Sequence, residues 1–112
     1  MIDKHFDNFP IAGFTYYDGV DVFKELEIGT ELYFVAEPEN KHDENAVALY
    51  FKGSKLGYVP RSRNKFISKF LFYGHTDLFE IKINRVSEDS NPEGQIGVVV
   101  KIKPKKIEEV KQ

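Results

Sequence analysis

The second half of the chain shows the regular alternation of apolar and polar residues that predicts β-strands. Residues 78–86 place Phe79, Ile81 and Ile83 on one face and polar residues on the other. Residues 96–102 repeat this period of two. The stretch between them, SEDSNPEGQ, is polar and rich in turn-forming residues, so we expect a long hairpin arm there.

Three further strands are predicted before this pair. ELYFVA at 31–36 and AVALYF at 46–51 are apolar on both faces, which is typical of strands that are buried on both sides. KGSK at 52–55 contains a Gly-Ser hairpin signal. We therefore expect residues 46–51 and 55–59 to pair antiparallel.

The beginning of the chain predicts a strand followed by a short helix. Residues 8–16, NFPIAGFTY, have strand character, but Pro10 and Gly13 interrupt them, which indicates a sheet edge or a bulge. Residues 20–27 place apolar side chains at helical spacing, and Gly29 is positioned to end that helix.

The clearest helix signal lies at SRNKFISKFLFYG, residues 62–74. Ser62 is a candidate N-cap, and Gly74 is positioned to end the helix. The apolar residues of this segment form one stripe along the predicted helix, namely Phe66, Ile67, Phe70 and Leu71.

These elements predict a fold that is mostly β with one or two short helices, arranged as a small, partly open β-barrel. The chain has 112 residues and no internal repeat or linker, so we expect residues 1–112 to form a single domain. The tail at 104–112 is a candidate disordered segment.

Composition limits the classes of function. Sixteen basic and 18 acidic residues give a formal net charge of -2, so any nucleic-acid site must be a local feature. The absence of cysteine excludes disulfides, thiolate catalysis and Cys-ligated zinc. No apolar stretch approaches the roughly 18 residues of a membrane span, so we expect a cytoplasmic protein with no membrane contact.

The common catalytic motifs are missing. The chain has no HExxH and no GxxxxGK[ST] segment. His42 beside Asp43 has the composition of a base with an orienting acid, but neighbouring residues on a strand point to opposite faces. We therefore expect no enzymatic activity and no cofactor.

The loop EPENKHDEN at 37–45 carries more hydrogen-bonding groups than a turn requires. Clustered oxygens at Glu37, Asp43 and Glu44 suit a hard cation, but the spacing matches no EF-hand, so we expect no metal. Asp43 and Asn45 also suit a structural role, because short polar side chains close turns on nearby backbone N–H groups.

Aromatic and basic residues near the predicted strand ends suit nucleic-acid binding. Tyr16 and Tyr17 precede the Asp-Gly turn, so at least one ring is expected at a rim, where it can stack on a base or simply pack. Tyr58 and Arg61 flank the Val-Pro pair that ends a strand. An arginine at that place can reach a phosphate, or it can be an ordinary surface charge.

Three segments, in this order and at this spacing, resemble the HIRAN domain: IAGFTYYDG, EPENKHDENAVALYFKGSKLGYVPR and the helix with Asn64 that follows. The resemblance covers residues 8 to about 88. It implies a small β-barrel related to the OB-fold, found fused to helicase-like translocases and nucleases and also as free-standing bacterial proteins. The best-understood member grips the 3′ end of single-stranded DNA.

The resemblance also implies roles for individual residues. Tyr16 would stack on a terminal base, His42 would pack on the nucleotide, and Asp43 would accept a hydrogen bond from the free 3′-hydroxyl. Asn40 would lie in the same loop, and Arg61 would meet a backbone phosphate. The chain departs from the DNA-end-binding member at Thr15, where that member has a basic residue, and at His42, which replaces a larger aromatic ring. Both departures would lower affinity.

The leading hypothesis is a non-catalytic module that binds single-stranded DNA ends in DNA repair or at stalled forks. Its expected site residues are Tyr16, Asn40, His42, Asp43, Tyr58 and Arg61, with Lys55 as a further phosphate contact. A helicase, translocase or nuclease is a possible protein partner. The alternative hypothesis is a protein-interaction module that recruits such a partner through the barrel edge near Pro10 or through the acidic loop.

Overall fold

The structure of the protein is a computed structural model, which describes residues 4–87 and 95–104. Its strands are β1 (His5–Pro10), β2 (Glu31–Ala36), β3 (Val47–Phe51), β4 (Ser54–Tyr58), β5 (Phe79–Val86) and β6 (Ile96–Ile102). Its α-helices are α1 (Gly19–Val22) and α2 (Lys65–Phe72), and single turns of 3-10 helix span Phe14–Tyr16, Phe23–Glu25 and Arg61–Arg63.

The six strands form one antiparallel sheet in the order β1-β6-β5-β2-β3-β4. The sheet curls until its two end strands meet at a seam. At the seam the N–H of Ala12, just beyond β1, donates to the Tyr58 carbonyl of β4 at 2.8 Å, and the Tyr58 N–H donates to the Ala12 carbonyl at 2.9 Å. This arrangement confirms the predicted fold class, a mostly β, partly open barrel with short helices.

The core fills the inside of the curled sheet. The alternation predicted for β5 and β6 is confirmed, because Phe79, Ile81 and Ile83 are buried together with residues 96, 98 and 100. Helix α2 adds Ile67 and Leu71 to the same core. The predicted apolar stripe of α2 was too wide, because Phe66 and Phe70 remain exposed.

The opening strand, predicted for residues 8–16, lies at His5–Pro10, so it begins earlier and is shorter, and the first helix is also shorter. The strand ends at Pro10, since Gly13 adopts a φ of 72° that turns the chain, and residues 14–16 then form a 3-10 turn. The helix predicted for 20–27 divides into α1 and a 3-10 turn that ends at Glu25.

The central strands lie where the sequence predicted, with two differences. Strand β3 is buried on both faces, but β2 exposes Tyr33 and Val35, so only one of its faces packs on the core. The β3–β4 hairpin is antiparallel as predicted, and its turn is formed by Lys52 and Gly53. Lys52 has a φ of 53°, and Ser54 already belongs to β4.

Helix α2 begins later than predicted. Ser62 lies in the 3-10 turn that precedes it, and the residue at the N-cap position is Asn64. The Asn64 side chain makes no capping hydrogen bond, because it is directed to another part of the chain. Gly74, with a φ of 90°, follows the end of the helix as expected.

Two predictions fall on parts of the chain that the structure does not describe. The tip of the predicted β5–β6 arm lies at 88–94, and most of the candidate disordered tail lies at 105–112, both outside the described residues. Within the described ranges, no helix has the length and apolar character that crossing a bilayer requires.

Candidate functional site

A pocket of about 350 Å³ lies at the seam of the barrel, between the turn after β1, the loop 37–45 and the segment after β4. All six residues that the sequence analysis selected line it, although they are spread from position 16 to position 61: Tyr16, Asn40, His42, Asp43, Tyr58 and Arg61. Buried Ala46 and Val59 contribute apolar surface to the same lining.

Tyr16 stands at the rim of this pocket. It ends the 3-10 turn whose first residue, Phe14, is anchored in the core, and its own side chain is 81% exposed. Tyr17 is more enclosed, because its ring packs edge-on against Tyr58 with centroids 5.5 Å apart. The expectation that at least one ring of the pair lies at a rim is therefore confirmed for Tyr16.

Close packing behind the rim holds this turn in place. A Cβ atom at Gly19 would overlap the ring of Phe14, so α1 can pack on the turn only with glycine at that position. The Asp18 N–H donates to the carbonyl of Lys55 at 2.9 Å, which ties the turn to β4. The rim that carries Tyr16 is thus attached to both the core and the sheet.

Asn40 shapes the loop that forms the opposite wall. Its side-chain oxygen accepts hydrogen bonds from the backbone N–H groups of His42, at 2.8 Å, and Asp43, at 3.1 Å. Its side-chain NH₂ donates to Glu37 Oε1 at 3.0 Å. Asn40 therefore lies in the predicted site and closes the loop, while its contact with a ligand stays a prediction.

Asp43 has the structural role that the sequence analysis considered, while its contact with a ligand stays a prediction. Its Oδ1 accepts the N–H of Asn45 at 2.9 Å, which closes a turn, and its Oδ2 accepts the side-chain NH₂ of Asn64 at 2.8 Å. Each carboxylate oxygen can accept two hydrogen bonds, so each of these oxygens keeps capacity for a donor in the pocket. The carboxylate is directed to Asn45 and Asn64 and not to the ring of His42.

Asn64 is a pocket residue that the sequence analysis did not select. It is a polar residue with only 3% of its surface exposed, and it fixes the orientation of the Asp43 carboxylate. A polar residue directly before an apolar helix reads as an N-cap from sequence alone. Its true partner lies 21 positions away, which local patterns cannot indicate.

Arg61 brings a positive charge to the pocket without being held rigidly there. Its side chain is 74% exposed, and its Nε lies 3.9 Å from Asp43 Oδ2. Its Nη2 donates to the backbone carbonyl of His42 at 3.3 Å. The His42 side chain is exposed, so Arg61 and the His42 ring are both accessible at the mouth of the pocket.

Lys55 lies outside the pocket lining and takes part in a three-residue cluster. Its ammonium donates to Glu37 Oε2 at 2.8 Å and to the Tyr58 hydroxyl at 2.6 Å, and that hydroxyl donates to Glu37 Oε1 at 2.7 Å. The ammonium also lies 4.5 Å from the centroid of the Tyr58 ring. The predicted phosphate contact of Lys55 would therefore compete with this cluster.

The cluster shifts the titration of its own members. Burial would raise the pKa of the Glu37 carboxyl, but hydrogen bonds from Lys55, Tyr58 and Asn40 outweigh it and hold this pKa below the usual value. Burial opposes the charge on Lys55, yet its bonds to Glu37 and Tyr58 raise its pKa above the ordinary range. Burial and the bond to Glu37 raise the pKa of Tyr58 against the effect of Lys55.

The acidic loop does not converge on a cation position. Glu37 is bound to Lys55 and Tyr58, while Asp43 is bound to Asn45 and Asn64. Within residues 4–87 and 95–104, no group of three or more histidine or acidic side chains could hold a metal ion. The loop's polar groups are used to build the wall of the pocket.

A curled antiparallel sheet with an aromatic and polar pocket at its seam defines a small β-barrel binding module. The family model of the HIRAN domain matches residues 6–104 of this chain. The chain therefore belongs to the HIRAN domain family, which is known for DNA binding and is generally non-catalytic.

Two solved structures share the fold. A protein from Lactobacillus plantarum superposes with a TM-score of 0.75 and 18% sequence identity, over 90% of this chain and 95% of that one. The HIRAN domain of human HLTF superposes with a TM-score of 0.67 and 14% identity, over 86% of this chain and 73% of that one. A comparison with curated protein sequences finds no match.

Proposed function

We propose that this domain binds the 3′ end of single-stranded DNA through the seam pocket and recognises the free 3′-hydroxyl. The observation that carries the proposal is the convergence of six residues on one pocket, with an exposed aromatic ring, a half-buried carboxylate and an exposed arginine around it. These are the groups that recognise a base, a terminal hydroxyl and a phosphate.

Asp43 supplies the selection for the end of the strand. A hydroxyl can donate to a carboxylate oxygen, and Asn45 and Asn64 already hold the carboxylate in one orientation. A terminal phosphate carries negative charge and would be repelled by the same oxygen atoms. The pocket would then favour a free 3′-hydroxyl over a 3′-phosphate.

Tyr16 and His42 supply the stacking surfaces. Both residues are exposed and line the pocket. Stacking of a base on an aromatic side chain contributes about 1–3 kcal/mol, and it does so for every base. The binding would therefore depend weakly on sequence.

Arg61 supplies a phosphate contact. Its guanidinium is exposed, and its ion pair with Asp43 is long, at 3.9 Å, so it can turn toward a phosphate. One such contact on a single strand gives a salt dependence with a slope of about 0.7 in log affinity against log salt. A domain of net charge -2 that relies on this contact would bind best at low salt.

In the cell, such a module would deliver a helicase, translocase or nuclease to DNA ends during repair or at stalled forks. A protein-interaction role is the second candidate function, and the position of β1 favours it. Strand β1 is an end strand of the sheet, and its last residue is Pro10. An end strand of this kind can accept a strand from a partner.

A pair of matched tyrosine variants tests the proposal. Tyr16→Ala removes the exposed ring at the pocket, whereas Tyr33→Ala removes a ring on β2 that is 54% exposed and lies outside the pocket. By fluorescence anisotropy with a single-stranded oligonucleotide, Tyr16→Ala should weaken binding by roughly 5- to 100-fold. Tyr33→Ala should bind like the wild type. Equal affinities for the two variants would contradict the proposal and direct attention to the β1 edge.

A further inference from the structure

A second, larger groove lies along helix α2, beside the seam pocket. Its volume is about 630 Å³, and its lining includes Asn45 from the loop 37–45 and, from α2 and the residue after it, Lys65, Lys69, Phe72 and Tyr73. The four residues from the helix segment follow the spacing i, i+4, i+7 and i+8, so they lie on one face of α2. No site residue named so far faces this groove.

The groove and the seam pocket are lined by residues that are neighbours in the sequence. Asp43 and Asn64 line the pocket, while Asn45 and Lys65 line the groove. A hydrogen bond joins Asn64 to Asp43 on the pocket side. Adjacent Cα atoms are about 3.8 Å apart, so the groove begins within one or two residues of the pocket.

The lining of the groove suits a nucleic-acid strand. Phe72 and Tyr73 are 66% and 69% exposed, and their rings meet edge to face. Lys65 and Lys69 are exposed, and neither forms an ion pair with another described residue. With Glu44 as the acidic residue of the lining, the groove has a net positive charge in a chain of net charge -2.

We propose that this groove binds the nucleotides that precede the terminal ones, on the same strand whose 3′ end occupies the seam pocket. The inference rests on the function proposed above and adds a second subsite to it. Lys65 and Lys69 would contact backbone phosphates, and Phe72 and Tyr73 would stack on bases. From Lys65 to Tyr73 the helix rises about 12 Å, which matches roughly three stacked bases at about 3.4 Å each.

Affinity as a function of strand length tests the second subsite. The probes are oligothymidylates of two, five and ten nucleotides with free 3′-hydroxyls, measured by titration calorimetry at low salt. For the wild type, the pentanucleotide should bind about tenfold tighter than the dinucleotide, and the ten-nucleotide strand should add little. Asp43→Asn should weaken the binding of all three oligonucleotides, because it alters the pocket that holds the strand end.

Two double variants should abolish the increase in affinity from the dinucleotide to the pentanucleotide, and they should leave the affinity for the dinucleotide unchanged. Lys65→Ala with Lys69→Ala removes two phosphate contacts, which should lower the salt slope for the pentanucleotide by about 1.4. Phe72→Ala with Tyr73→Ala removes the stacking surface. Lys24→Ala with Lys101→Ala is the matched control, because it changes the net charge equally at exposed lysines outside both cavities. Circular dichroism of each variant verifies that the fold is retained.

The outcomes separate the two proposals. In one outcome, dinucleotide binding depends on Asp43 but affinity does not increase with strand length. In another, affinity increases with length in both groove variants as it does in the wild type. Either result would overturn the second subsite and leave the end-binding function standing. Failure of all three lengths to bind the wild type would overturn both. A dimer in solution that Phe72→Ala with Tyr73→Ala dissociates, with the length dependence unchanged, would assign the groove to a second copy of the chain.

Discussion

The side-chain NH₂ of Asn64 donates a hydrogen bond of 2.8 Å to Oδ2 of Asp43, and this contact joins the loop 37–45 to the start of α2. Asn64 is almost completely buried, whereas Asp43 borders the seam pocket. A carboxylate on a loop is normally free to rotate. Here its two oxygen atoms have fixed partners, so the loop presents the carboxylate to the pocket in one orientation.

Two substitutions of Asn64 test this contact, one by removing the donor and the other by adding a carboxylate. Asn64→Ala leaves a half-buried carboxylate oxygen without its donor and should cost about 1–3 kcal/mol of unfolding free energy.

Asn64→Asp places a second carboxylate against Asp43, which raises the pKa of the pair above the ordinary value. Because the folded state then binds more protons than the unfolded state, the stability of Asn64→Asp relative to Asn64→Ala should rise as the pH falls from about 7 to about 4. Urea unfolding followed by circular dichroism measures this difference. A difference that does not change with pH would contradict the contact.

The cluster of Glu37, Lys55 and Tyr58 predicts a loss of stability in acid. The folded-state pKa of Glu37 lies below its ordinary value of 4.5, so its contribution is complete above that value and is lost as the pH falls through the lower, folded-state pKa. Glu37→Gln should lower the unfolding free energy at neutral pH by about 1–3 kcal/mol, since hydrogen bonds to charged groups contribute about that much.

The same variant has a distinctive pH profile. Glu37→Gln lacks the carboxyl, so the wild-type advantage should shrink when urea unfolding is repeated below pH 4.5, the ordinary value of the group. Glu39→Gln is the control, because Glu39 is exposed in the same loop. An advantage of the wild type that persists unchanged in acid would mean that the Glu37 carboxylate is not the stabilising group.

Closure of the barrel depends on Gly57. Its φ is 148°, and a Cβ atom there would overlap the carbonyl oxygen of Ala12 and lie 2.7 Å from Cγ2 of Ile11. Gly57→Ala should cost about 2–4 kcal/mol, because backbone strain and overpacking act together. Gly53→Ala is the matched control, since nothing lies within 4 Å of a Cβ there. Thermal unfolding should show a much lower unfolding temperature for Gly57→Ala and little change for Gly53→Ala. Similar unfolding temperatures for the two variants would contradict the tight seam.

His42 offers a gain-of-function prediction. The imidazole is a smaller stacking surface than a tyrosine ring, and the side chain is exposed at the pocket. His42→Tyr should therefore tighten binding of a single-stranded oligonucleotide several-fold, within the roughly 1–3 kcal/mol that stacking provides. Anisotropy at low salt measures the change, with His75→Tyr as the control outside the pocket. A His42→Tyr affinity equal to that of the wild type would remove His42 from the stacking role.

Much of the fold was predictable because strands β2 to β6 carry strong local signals. Alternation in β5 and β6 and the apolar run of β3 follow directly from which faces are buried. The opening strand was predicted too long because the positive φ at Gly13 and the 3-10 turn that follows are set by packing of Phe14 against Gly19. Such a contact has no local signature.

The meeting of the candidate site residues at one pocket was predictable, but their hydrogen bonds were not. The six selected residues do line one pocket; the resemblance pointed to five of them, and the pattern at the end of a strand pointed to Tyr58. The roles of Asn64 and Lys55 depend on partners in distant segments. Asn64 bonds Asp43 across 21 positions, and Lys55 bonds Glu37 across 18. Sequence patterns reflect neighbouring residues, so they indicated neither of these contacts.

The most direct test of end recognition compares two forms of one labelled single-stranded oligonucleotide, one ending in a 3′-hydroxyl and the other in a 3′-phosphate. Anisotropy at low salt should show that the wild type prefers the hydroxyl form by at least about tenfold, which corresponds to about 1.4 kcal/mol. Asp43→Asn should reduce this preference, because the repelling charge is removed. Equal binding of the two forms by the wild type, or no binding of either, would contradict recognition of the 3′ end by the seam pocket.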